Sequence, residues 1–174
     1  MKTALFAALC GLALLPGLAQ AGSLSASFTD PAWGGTMLPK GQNCSKFGGH
    51  GATPPLKIDG IPAGADAIVI QFNDADYQPL SSNGGHGTIG YRIAPGAGTA
   101  MLPAVPGETD GGLPDGTWVV KRNRASGSFA APGYLPPCSG GRGHYYNAKI
   151  MAVKMDSGGT YDVLDDIRID IGKY

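Results

Sequence analysis

The sequence lacks the short signatures that usually betray an enzyme. It contains no His-Glu-x-x-His pair, no Cys-x-x-Cys, no Gly-x-Ser-x-Gly elbow and no phosphate loop closing on Lys-Ser or Lys-Thr. The Gly-Gly-x-Gly at 84–87 stands alone, without that ending. Net charge is also missing: thirteen basic residues balance thirteen acidic ones. Such balance gives no long-range attraction for DNA, RNA or anionic lipid. The only basic cluster, Lys121-Arg122 with Arg124 close by, reads as a solvated face. Neither nucleic acid nor stable membrane insertion is therefore expected. Cysteine is scarce, at three residues, and no heptad, internal repeat or long helical period is visible.

The N-terminus carries the clearest positive signal. Lys2 precedes an almost unbroken apolar stretch, 4–15, which contains Cys10. Pro16-Gly17 then breaks the stretch, and Ala19-Gln20-Ala21 supplies a small-x-small cleavage pattern. This order reads as a secretory signal peptide over residues 1–21. The apolar run is too short for a stable transmembrane helix, which needs roughly 20 residues. Cleavage after Ala21 leaves 22–174, the length of one domain with a sizeable core. The expected location is periplasmic or secreted. Cleavage also removes Cys10 and leaves Cys44 and Cys138, an even pair in an oxidising compartment. A disulfide between them is expected; two buried free thiols are the alternative.

Glycine and proline are abundant, at 29 and 14 residues, but they are interleaved with apolar and aromatic segments. That pattern fits short strands joined by loops. Strands are expected at 23–28, 67–72, 88–93, 117–120 and 144–153. Near the end, Ile167, Ile169 and Ile171 alternate with Arg168 and Asp170, the period of a half-buried strand. Residues 161–164 extend that strand or, with 165–166, form a short helix; 63–66 is a second short helix candidate. The stretch 95–116 reads as a long structured loop or an excursion between strands. The sum is a mostly β protein, an antiparallel or mixed sandwich with long loops.

The residues with chemistry to offer are few. Glycine adjoins each histidine, in Gly49-His50, Gly85-His86 and Gly143-His144. Asp74 and Asp76 follow the apolar run 67–72. In an extended chain they share a face and project into one pocket; at a strand end they cap turns instead. Three histidines and an aspartate suffice for tetrahedral zinc in number, but their scattered spacing predicts no metal site. No serine stands in an activated context.

Four stretches, taken in order, resemble the phosphatidylethanolamine-binding protein family, also called Raf kinase inhibitor-like. They are Ala52-Thr53-Pro54-Pro55-Leu56 with Gly60-Ile61-Pro62; Asp74-Ala75-Asp76; His86 before the strand at 88–93; and Gly133-Tyr134-Leu135-Pro136-Pro137-Cys138 with Gly143-His144-Tyr145-Tyr146. The resemblance covers roughly 44–153. It implies an antiparallel Greek-key β-sandwich with short helices. It also implies a small anion-accepting pocket of Asp74, His86, His144 and Tyr146, with Tyr134 and Pro136 on its wall, and no cofactor. Ala75 and Tyr77 stand where the family prefers prolines, so either a costly non-proline cis bond or an altered turn is expected there. Gly85 and Gly87 flank His86 where an aromatic is common, and Tyr145 replaces an arginine. These departures imply a wider and less positively charged pocket. The function they point to is an exported binding protein for a small anionic or polar ligand. The alternatives are a regulator of an envelope or secreted protein partner, and a hydrolase working from the same pocket.

Overall fold

A computed structural model describes residues 23–174. The expected signal peptide lies outside the described residues. Eight strands form two antiparallel sheets. The smaller sheet runs β1 (Ser25–Phe28), β2 (Leu56–Asp59), β5 (Thr99–Leu102). The larger runs β6 (Thr117–Lys121), β4 (Thr88–Arg92), β3 (Ala67–Asp74), β7 (Tyr145–Met155), β8 (Tyr161–Lys173). Among the described residues, helix is limited to three single 3-10 turns, Ser45–Phe47, Gln78–Leu80 and Gly127–Phe129. The mostly β, antiparallel fold class is as expected from the sequence.

The core follows from strand alternation. In β3, Ile68, Ile70 and Phe72 face the smaller sheet, and in β7 so do Tyr146, Ala148, Ile150 and Ala152. Leu56 and Ile58 meet them from β2, with Leu102 from β5. These side chains are almost fully buried. Each contributes about 1.5–3 kcal/mol relative to an exposed position. The opposite face of β3 and β7 carries a smaller cluster of Ala67, Val69, Met151 and Val153, partly covered by Trp118. Trp118 lies against Gly90, where any Cβ would meet its ring at 2.3 Å.

Three readings are corrected. The stretch 95–116 is not all loop: β5 lies within it and pairs Leu102 with Leu56 and Ala100 with Ile58. Residues 161–166 are not helical, because β8 pairs with β7 from Tyr161 onward, with a register shift that skips Leu164. Residues 63–64 form a turn rather than a helix.

The core-facing row of β3 ends at Asp74, directly opposite Tyr146. The two-residue period that places Phe72 in the core therefore places a carboxylate at the core's edge. This is where the apolar interior gives way to a cavity.

Candidate functional site

Three segments close around that edge. The first is the turn after β3. All peptide bonds among the described residues are trans, so the turn at Ala75 is the altered one. Ala75 N–H donates to the Tyr145 carbonyl at 2.8 Å, and Tyr77 N–H to the Asp74 carbonyl. Asp74 Oδ1 accepts the Asp76 N–H at 2.9 Å. Asp76 turns outward and accepts the Tyr145 N–H at 2.7 Å, capping the start of β7. The two carboxylates do not share a pocket, because β3 ends at Asp74 and the alternation ends with it.

The second segment carries His86. Its N–H donates to the Phe72 carbonyl at 2.9 Å, and its carbonyl accepts the Leu135 N–H at 2.8 Å. The backbone thus runs strand-like between two neighbours. Glycines beside it allow this: a Cβ at Gly85 would fall 2.0 Å from the Leu80 carbonyl oxygen. Asn73 Oδ1 fixes the same loop by accepting from Gly84 and Gly85.

The third segment runs from Tyr134 to His144. Cys138 is disulfide-bonded to Cys44, with Cα atoms 5.3 Å apart and a sequence separation of 94, which fulfils the expected pairing. Cys138 N–H also donates to the Tyr146 hydroxyl at 3.2 Å. The end of β8 holds the far side: Gly143 N–H donates to the Tyr174 carbonyl, and Tyr174 N–H to the His144 carbonyl.

Between these segments lies a cavity of about 340 Å³. Asp74, His86 and His144 line it together. Asp74 Oδ2 lies 2.8 Å from His144 Nδ1. The carboxylate orients the ring and leaves Nε2 free for a ligand. His86 Nδ1 lies 2.8 Å from the Leu135 carbonyl oxygen. His86 is only 2% exposed, and burial pushes its imidazole below its ordinary pKa of 6.5.

Tyr146 packs edge-on against His86, with ring centroids 5.2 Å apart, and supports the cavity from behind rather than lining it. Burial pushes its phenol upward. Tyr134 points into the core against Phe72, with centroids 4.7 Å apart. Leu135 faces the cavity in its place. Pro136 is turned toward Gly51 and Gly107. His50 lies outside the cavity. Among the described residues, no cluster of three or more metal-ligating side chains forms.

Two arginines also border the cavity. The Arg124 guanidinium donates to the Pro79, Ser82 and Asn83 carbonyls, so this residue is more than a solvated charge. Arg142 donates to the Ser139 carbonyl at 3.0 Å, which leaves most of its donors free. Neither has a carboxylate partner among the described residues. Arg142 thus brings a guanidinium to the cavity although Tyr145 does not. The sequence reading passed over it, although it lies two residues before His144. Apolar side chains complete the lining, chiefly Leu80, Leu135 and Phe129.

The two sheets form a sandwich of the phosphatidylethanolamine-binding-protein type, with a polar cavity at one sheet end. A solved structure of a phosphatidylethanolamine-binding protein homologue from Chlamydia trachomatis matches with a TM-score of 0.51 and 18% identity, covering 87% of this chain and 97% of that one. E. coli YbcL, a member of the mammalian phosphatidylethanolamine-binding protein family, matches with a TM-score of 0.54 and 20% identity, covering 88% of this chain and 98% of that one. At such identities the likeness establishes the fold. No protein-family model and no curated protein sequence matches the chain.

Proposed function

We propose that the protein is an exported binding protein for a small anionic or polar ligand held in the cavity beside Asp74. One observation carries this reading. Residues far apart in sequence, Asp74, His86 and His144, converge on a single cavity bordered by two guanidiniums. A carboxylate-oriented imidazole and a guanidinium with free N–H groups offer charge-assisted hydrogen bonds to an anionic oxygen. Leu80, Leu135 and Phe129 exclude water from part of the lining, which strengthens such bonds. The Cys44–Cys138 bridge fits an oxidising compartment. No helix among the described residues is long and apolar enough to cross a membrane.

Titration with phosphate, phosphoethanolamine and citrate, read from the histidine ring protons, tests this directly. At least one ligand should move the His86 and His144 signals, and His144→Ala should weaken its binding by about tenfold, from lost charge-assisted bonding. Silence with all three ligands, or unchanged affinity in His86→Ala and His144→Ala, would count decisively against it.

One observation supports a protein partner as the second reading. Phe47 and Phe129, both over a third exposed, sit 6.4 Å apart beside the cavity with Lys46 over the Phe129 ring. A stoichiometric protein recovered from envelope fractions, and lost with Phe129→Ala, would favour it. The hydrolase reading has less behind it. Ser139 borders the cavity, but its hydroxyl donates to the Tyr174 carbonyl at 2.6 Å rather than to His144.

A further inference from the structure

The hydrogen-bond polarity of the cavity floor is fixed by one atom. His86 Nδ1 faces the Leu135 carbonyl oxygen at 2.8 Å. A carbonyl can only accept, so Nδ1 carries the proton. In the neutral ring, Nε2 is then a bare lone pair. Neutrality is favoured by burial, since the residue is 2% exposed. Nε2 is the one buried side-chain nitrogen or oxygen without a hydrogen-bond partner among the described residues. The ionisable groups around it come from several elements. Asp74 approaches from β3, Tyr146 from β7, His144 from the segment just before β7, and Arg124 and Arg142 from the cavity rim. Asp74 Oδ2 is engaged by His144 Nδ1, and Oδ1 by the Asp76 N–H. None of these contacts hands a proton to His86 Nε2.

We infer that the site selects an oxyanion that still carries a proton, such as phosphate or a phosphomonoester, over one that carries none. This rests on the anion-binding reading and specifies which anions fit. The charged oxygens face Arg142 and His144 while the P–OH donates to His86 Nε2. A fully deprotonated oxyanion of the same shape brings only acceptors. It would set an oxygen lone pair against the nitrogen lone pair, with no hydrogen between them. Sites built to bond a particular hydrogen reject the isostere lacking it more strongly than apolar pockets reject a misfit.

Phosphate and sulfate make the comparison, being alike in shape and different in protonation. Binding of each near pH 6.5 should differ on the order of 10–100-fold in favour of phosphate. His86→Asn should retain a donor toward Leu135 while deleting the acceptor, and should bring the two anions to within roughly threefold of each other. Long-range proton–nitrogen correlation on the unsubstituted protein should show the proton of His86 on Nδ1, which tests the premise even where the variant fails to fold. Equal affinity for the two anions, or a proton found on Nε2, would overturn this inference and leave the anion reading standing. Absence of binding by either anion and by citrate would remove both.

Discussion

At one end of the five-stranded sheet, beyond Asp74, lies the cavity lined by His86 and His144. At the other end, beyond Ala67, lies a hollow of about 460 Å³ lined by Asp66, Arg92, Trp118, Met155 and Asp156. The second is larger, and it also holds carboxylates, a guanidinium and an aromatic ring. Its carboxylates, however, already have partners. Asp66 accepts from Lys154 Nζ and from the Met155 N–H. Asp156 caps its own hairpin turn through Gly158 and Thr160. Arg92 lies over the Trp118 ring. At the first end, a guanidinium and two imidazole nitrogens keep bonding capacity that no side chain uses. On the proposed reading, hollow size does not mark the site; imidazoles with an unused nitrogen beside a guanidinium do.

That contrast can be broken or sharpened by perturbing each end. The largest effect should come from the Cys44–Cys138 bridge, which clamps only the first. Reduction, or Cys44→Ala with Cys138→Ala, should cost about 2–5 kcal/mol in denaturant unfolding, as expected for a long closed loop. Hydrogen exchange should rise first along 133–144 and little near Trp118. Equal loosening at both ends would contradict the asymmetry.

Next come the two aspartates. Asp74→Asn should destabilise by about 1–3 kcal/mol, because a buried acceptor of two hydrogen bonds is altered. It should also weaken phosphate binding by about tenfold through loss of His144 orientation. Asp66→Asn alters a partly exposed ion pair, so its cost should stay below about 1 kcal/mol with binding unchanged. Denaturant melts and titrations of both variants would show whether the ends differ as described.

The pH response should be smaller and separable. Burial holds His86 below 6.5 in the folded state. The unfolded chain therefore takes up a proton near pH 6.5 that the folded chain refuses. Stability should fall as pH drops below 6.5, by up to about 1.4 kcal/mol per pH unit from this group, until the folded pKa is reached. His86→Asn should lack that slope. At the second end, Asp66 is held below its usual 3.8 by the Lys154 hydrogen bond. Its contribution is present above 3.8 and is lost only in more acidic solution.

Much of this architecture was legible in the residues. Strands β3, β4, β6 and β7 announced themselves through β-branched and aromatic runs, and the Ile167–Ile169–Ile171 alternation marked β8. Strands β2 and β5, each of four residues, escaped because turn-forming residues stand just before them. Pro54-Pro55 precedes one and Pro95-Gly96 the other, so local sequence resembled loop. Their strand character comes from pairing with each other across more than forty residues. The family resemblance brought Asp74, His86 and His144 to notice together, and the fold sets them around one cavity. It could not show that β3 stops at Asp74 and turns Asp76 outward, or that Leu135 rather than Tyr134 faces the cavity. Arg124 and Arg142 were hidden for a related reason: their roles depend on where loops return, which no short period encodes.

Backbone amide shifts recorded during a phosphate titration compare the two ends in one experiment. The account predicts saturable movement at Asp74, His86, Ser139 and His144, with Ala67, Trp118 and Met155 unmoved. Saturable movement confined to the Trp118 end, or none at either, would contradict it.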